Sequence, residues 1–167
     1  MKHVRRSVVW EGKLFSVVDE TWGERHRELV EHRGSVAIVA IDSEGRLVLT
    51  RQFREAVRQE LLELPAGVLE PGEIPLDAAR RELAEETGLH GGIWTELRTI
   101  HPSPGFVREP VSLFLAEELE EGEPDLGEGE ELEVVRLTPA QLEAELDRPD
   151  GIEDAKTLAG LLLYFRR

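Results

Sequence analysis

The chain contains no cysteine, no asparagine, one methionine and one tyrosine. Without cysteine there is no disulfide, no thiolate metal site and no cysteine nucleophile, so any bound metal must sit on oxygen or histidine. The scarcity of heat-labile side chains fits a thermophilic source, although a GC-rich genome leaves a similar bias. Lysine is scarce as well, with 3 residues against 17 arginines, and arginine offers the planar fork that grips a phosphate at two points. Net positive charge is absent: the formal charge is −15, which repels a phosphate backbone and argues against non-specific binding to nucleic acid. Long apolar runs are missing too. The longest, residues 36–41 and 161–165, fall far short of a bilayer span, so no membrane association is expected. The first residues, MKHVRR, lead into no apolar stretch or cleavage site of a secretory signal, and a cytoplasmic location is the expectation.

What is present is enough for one self-sufficient core. A chain of 167 residues buries roughly two thirds of the surface it exposes when unfolded. Short β-like runs at 7–10, 15–19 and 25–32 predict a small N-terminal antiparallel sheet. The apolar run 36–41 and the run 46–53, joined by Asp42, Ser43, Glu44 and Gly45, predict the central strands. Further strands are expected at 93–100, 111–116 and 132–137, with a mobile acidic loop over 117–131. Thr138, Pro139 and Gln141 have the form of a capping box, which predicts a helix to about residue 146. A last helix is expected from about Asp154, burying Leu158, Leu161, Leu162 and Phe165. The fold class is therefore α/β or α+β.

Residues 67–89 read GVLEPGEIPLDAARRELAEETGL. Pro75 suits a first helical turn, Leu76 to Thr87 are mostly good helix formers, and Gly88 suits a left-handed stop. On such a helix Glu82, Glu85 and Glu86 share one face beside an apolar face of Leu76, Ala79 and Leu83. Ala78, one turn before Glu82, is expected to leave open space for a ligand. Three neighbouring carboxylates repel, and hard oxygen donors in this number suit Mg²⁺ or Mn²⁺. A bare glutamate-rich helix is ordinarily a solvated face; the wider pattern decides otherwise.

That pattern resembles the full signature of the Nudix hydrolases, G-x5-E-x7-R-E-U-x-E-E-x-G-U with U bulky and aliphatic. It is met at Gly67, Glu73, Arg81, Glu82, Leu83, Glu85, Glu86, Gly88 and Leu89. The resemblance implies a mixed sheet between helices and a metal-assisted attack of water on a diphosphate phosphorus. It implies Glu82 and Glu86 as main ligands of Mg²⁺, Mn²⁺ or another divalent ion. Glu85 becomes a further ligand or the base, Ala66 a donor of its backbone carbonyl, and Glu73 the partner of Arg81. In some relatives a glutamate from a distant loop is the base, and Glu128, Glu130 and Glu131 are the candidates here.

Two segments resemble the ADP-ribose pyrophosphatase subfamily. One is His101 to Phe106, with Pro104 fifteen residues past Leu89. The other is Arg51, Gln52, Phe53 and Arg54, followed by Glu63, Leu64, Pro65, Ala66 and Gly67. The resemblance implies cleavage of ADP-ribose to AMP and ribose 5-phosphate, with Arg54 first and Arg51 second as pyrophosphate contacts. Glu70, Ser103, Pro104, Gly105 and Glu109 complete the substrate-binding candidates. Residues 1–33 are then a dimerisation element and 34–167 the hydrolase domain of a homodimer. Arg27, Glu28 and Trp22 would reach the adenine across the interface, while Ile93 and Trp94 help to form it. The alternatives are a hydrolase of broader taste, acting on ADP-sugars, dinucleotides or oxidised nucleotides, and a nucleotide-sensing module without catalysis.

Overall fold

The computed structural model describes residues 5–127, 129 and 131–167. In chain order the elements are β1 (Arg5–Glu11), β2 (Phe15–Trp22), β3 (Arg25–His32), β4 (Ser35–Ile41), β5 (Leu47–Arg54), β6 (Gln59–Glu63) and β7 (Ala66–Val68). These are followed by α1 (Pro75–Thr87), β8 (His90–Ile100), β9 (Val107–Arg108), β10 (Val111–Glu120), β11 (Leu132–Leu137), α2 (Pro139–Asp147) and α3 (Ala155–Phe165). The larger sheet runs β11-β5-β4-β10-β8, with β6 beside β5 and β7 beside β4, and β4 and β10 are parallel. The smaller sheet runs β1-β2-β3-β9. Its fourth strand, Val107–Arg108, comes from far along the chain, so the expected division at residue 33 is bridged by backbone pairing.

The run 36–41 is continuously apolar because both faces of β4 are covered. Ala37 and Val39 face a core shared with Leu49 of β5, Leu113 of β10, Leu142 of α2 and Leu161 of α3. Val36, Ile38 and Ala40 face the other side, against Ala79 and Leu83 of α1. The sheet is thus sandwiched between α1 on one face and α2 with α3 on the other. α1 ends on Gly88 at φ 77°, the left-handed stop expected of it. The capping box of α2 is formed, with Thr138 and Gln141 bonding each other's backbone. α3 starts on Asp154, whose carboxylate accepts from the backbone N–H of Thr157.

Three expectations need correction. The buried face of α3 is Thr157, Gly160 and Leu161, while Leu158, Leu162 and Phe165 are exposed, Leu162 by 52%. The helix is rotated because Gly160 lets it press against the sheet: a β-carbon there would stand 2.6 Å from Leu64 Cδ1. Ala78 leaves no open space, being 0% exposed and packed in the core under α1. The acidic loop begins late, since β10 continues to Glu120 by pairing with β8 as far as His90. Beyond it Glu121 is held twice by Arg136 at 2.6 and 2.8 Å, and the Asp125 N–H donates to the Glu85 carbonyl at 2.9 Å.

Candidate functional site

β4 has two different neighbours on one side. Near its end, Ala40 and Ile41 pair with β5; near its start, Ser35 to Ala37 pair with β7. Between them β5 has left β4 to pair with β6 and β11. Where the strands part, a cleft of about 660 Å³ opens. Ser35 of β4, Gln52 and Arg54 of β5, and Ala66, Gly67 and Val68 of β7 line it. α1 adds Arg81, Glu82 and Glu86 to its lining.

Arg81 organises that acidic wall. Its Nε and Nη2 each donate to Glu73 at 3.0 Å in a two-pronged bond, and Nη2 also reaches the Val68 carbonyl at 3.2 Å. Its Nη1 donates to Glu82 at 2.8 Å and to Glu85 at 3.0 Å. One guanidinium therefore ties the loop before the helix to two glutamates on it. The Glu73 carboxyl is held below the ordinary carboxylate range by the Arg81 hydrogen bonds, against the opposing effect of burial, with help from the Glu70 N–H. Arg81 in turn is held more firmly protonated than usual, first by Glu73. Glu86, 8% exposed, accepts the Ala66 N–H at 3.1 Å, which pins the helix to β7. The Glu82 carboxylate occupies the space that a side chain at Gly67 would need.

A carboxyl with a lowered pKa contributes stability that is fully present above its unfolded value, about 4.3, and lost as the pH falls through its folded value. In chelator-containing buffer the melting temperature should therefore drop more steeply between pH 5 and pH 3 (about one unit either side of that value) for wild type than for Glu73→Gln. Parallel curves from calorimetry would refute the Glu73–Arg81 pair as the cause.

Another stretch of the lining holds two cations with their carboxylate partners. Arg54 donates to the buried Glu63 from Nε at 3.0 Å and also from Nη2. Burial works against its charge, but Glu63 outweighs this and holds it protonated. Asp154, Ala155 and Lys156, at the start of α3, line the same cleft. A third side holds His32, Ser35 and Glu109, with the Ser35 hydroxyl donating to Glu109 at 3.3 Å and the His32 ring accepting the Gly34 N–H at 3.2 Å.

The expected residues divide as follows. Ala66, Glu70, Arg81, Glu82, Glu86, Arg54 and Glu109 line the cleft. Glu73 stands behind Arg81, and Glu85 is turned to Arg81 at the rim, with its side chain 42% exposed. Arg51 does not line the cleft; strand alternation sends it to the other face of β5, where it pairs with Glu133 at 3.4 Å. The 103–105 segment forms a turn, with the Ser103 carbonyl accepting from Val107 at 3.0 Å, and the lining residue there is Pro102 instead of Ser103, Pro104 or Gly105. Arg27, Glu28 and Trp22 lie on the small sheet away from this cleft: Arg27 donates to the His26 carbonyl at 2.7 Å, Glu28 is paired in register with Asp19, and Trp22 donates to Glu20 at 2.7 Å. Ile93 is exposed, and Trp94 packs edge-on against Phe114 under Arg80. Glu131 is exposed, while Glu128 and Glu130 lie outside the described residues. Sequence reading missed His32, Ser35 and Lys156, which carry no local pattern; Gln52 and Glu63 sat inside a recognised segment, and Asp154 was read only as the start of the last helix.

Residues 31–160 match the profile of the NUDIX domain. The chain belongs to the Nudix family. This Nudix chain is 43% identical over 135 residues to the ADP-ribose pyrophosphatase of Bacillus subtilis (strain 168), covering 78% of the chain and 71% of that protein. It is 46% identical over 101 residues to the ADP-ribose pyrophosphatase of Mycobacterium tuberculosis, covering 59% of the chain but only 49% of that relative. Among solved structures, the Nudix fold seen here superposes on that of an ADP compounds hydrolase with a TM-score of 0.80 at 26% identity, covering 99% of this chain and 92% of the other.

Proposed function

We propose that the chain hydrolyses the pyrophosphate bond of ADP-ribose, giving AMP and ribose 5-phosphate, with a divalent ion as cofactor. The observation that carries this reading is one cleft lined both by Glu82 and Glu86 of the Nudix helix and by the cation Arg54. Membership of the family and the named relatives place the chain among Nudix pyrophosphohydrolases.

The donor set suits a hard cation. Glu82, Glu86 and the Ala66 carbonyl are oxygen donors around one end of the cleft, and Gly67 provides the space in which the Glu82 carboxylate lies. A few such oxygen donors would be enough for Mg²⁺, which would take waters and substrate phosphates as its remaining ligands. When bound, such an ion acidifies a water and neutralises charge on the pyrophosphate. The chain's own residues do the rest. Arg54 contacts the diphosphate. Arg81 orients Glu82 and pairs with Glu85; Glu85, or Glu128, Glu130 or Glu131, would take the proton of the attacking water. Glu70 and Glu109 accept hydrogen bonds from sugar hydroxyls.

Two copies complete the enzyme in this reading. All seven residues of the edge strand β1 are exposed, including Val8, Val9 and Trp10, and nearby Leu14 reaches the cleft. A partner's small sheet on this edge would bring Arg27, Glu28 and Trp22 to the adenine. The expected location is the cytoplasm; among the described residues no helix is long and apolar enough to cross a membrane.

The test is a panel of ADP-ribose, ADP-glucose, GDP-mannose, NADH, diadenosine polyphosphates and 8-oxo-dGTP, with Mg²⁺ and with chelator, on protein whose mass in solution is measured by sedimentation. ADP-ribose should show the highest kcat/KM, yield AMP and ribose 5-phosphate, and be spared with chelator, on a particle of dimer mass. Preference for another compound would overturn the substrate, and a monomer of full activity would overturn the shared adenine site.

A further inference from the structure

We infer that Lys156 is a second cationic contact for the substrate's diphosphate, set beside Arg54 by their common counter-ion Glu63; the inference rests on the hydrolase reading above. Lysine is rare in this chain, with 3 residues, and Lys156 is in an unfavourable place for one. It lies in the first turn of α3, after the cap Asp154, where the helix dipole disfavours a cation. It is also largely withdrawn from water, its side chain being 17% exposed. A lysine that goes against both local preferences, in the lining of a cleft, is a candidate functional position.

Its surroundings show how the cost is met. Glu63 is 2% exposed and divides its two oxygens: Oε2 accepts from Arg54, while Oε1 lies 3.4 Å from Lys156 Nζ. Asp154 Oδ1 stands 2.9 Å from the same ammonium, and Asp154 Oδ2 is occupied by the N–H and hydroxyl of Thr157. Thr157, 0% exposed, in turn accepts the Leu64 N–H at 2.9 Å, so the N-terminus of α3 is fastened to the segment just after β6. The two carboxylates take two of the ammonium's three donor directions and leave one for a ligand. One carboxylate holds both cations, and both line the cleft. Two cations against two carboxylates make the cluster neutral before substrate arrives. A dianionic diphosphate then receives one direct contact from each cation.

The test uses the full chain with Mg²⁺ and ADP-ribose, comparing wild type, Lys156→Met and Lys156→Arg. Lys156→Met keeps the aliphatic stem and leaves Glu63 with Arg54 and Asp154 with Thr157, so the fold should be kept, with a melting temperature a few degrees below wild type because Glu63 Oε1 loses its ammonium. Its KM should rise about tenfold, the scale of one charge-assisted hydrogen bond, with kcat within about threefold. Lys156→Arg should recover most of the loss. An active wild type whose KM is unmoved in Lys156→Met overturns the inference. So does a KM rise that Lys156→Arg does not repair and that comes with a large fall in melting temperature, since that marks packing alone. A wild type without turnover on any nucleoside diphosphate compound overturns the hydrolase reading, and this inference with it.

Discussion

Glu86→Gln is expected to lower kcat for ADP-ribose by about two to three orders of magnitude, the scale of removing one electrostatic group from a preorganised site, while the protein stays folded. Glu86 is 8% exposed, lines the cleft and accepts the Ala66 N–H at 3.1 Å. Glutamine has the same shape and keeps one amide oxygen for that N–H, so the tie between α1 and β7 survives. What disappears is a full negative charge facing the place where a divalent ion and the pyrophosphate meet. Steady-state kinetics over a Mg²⁺ titration, beside near-ultraviolet circular dichroism, separates the two effects. A native spectrum with kcat within about threefold of wild type would remove Glu86 from the proposed metal site.

Gly67→Ala should also abolish most turnover, by a purely steric route. A β-carbon at Gly67 would overlap the Glu82 carboxylate. That carboxylate is the tip of a flexible side chain, so the fold can yield by letting it swing away, at little cost in stability. Swinging away breaks the Arg81 contact at 2.8 Å and takes the carboxylate out of the cleft. A displacement of about 1 Å in a reacting constellation can cost about a hundredfold in rate, and we expect at least that loss in kcat, with a melting temperature within a few degrees of wild type. An alanine variant with wild-type kcat would show that the Glu82 position seen here is not the working one. Unlike Glu86→Gln, this change leaves every charge in place, so the pair of experiments separates charge from position.

The helix of the box was legible because its signals are local. Pro75 at its start and Gly88 at φ 77° at its end act through their own backbones, and the spacing of Glu82, Glu85 and Glu86 sets their shared face. The capping box at Thr138 was readable for the same reason. Errors arose where packing overrules periodicity. Leu158, Leu162 and Phe165 have helical spacing, yet the close approach at Gly160 turned another face of α3 inward. Arg51 ranked second to Arg54 in sequence, and the alternation of β5 sent one to Glu133 and the other to Glu63.

By itself the sequence determined the reaction type, the glutamate-bearing helix and the order of the principal elements, all properties carried within short stretches of chain. Only the tertiary structure decided which residues share a cleft with those glutamates. The cleft exists because β5 leaves β4 and β7 takes its place, and its lining joins Arg54 from β5 and Lys156 from α3, both paired with Glu63 of β6. Residues a hundred positions apart along the chain carry no shared period. They meet because buried strands and a glycine-spaced helix leave them nowhere else to pack.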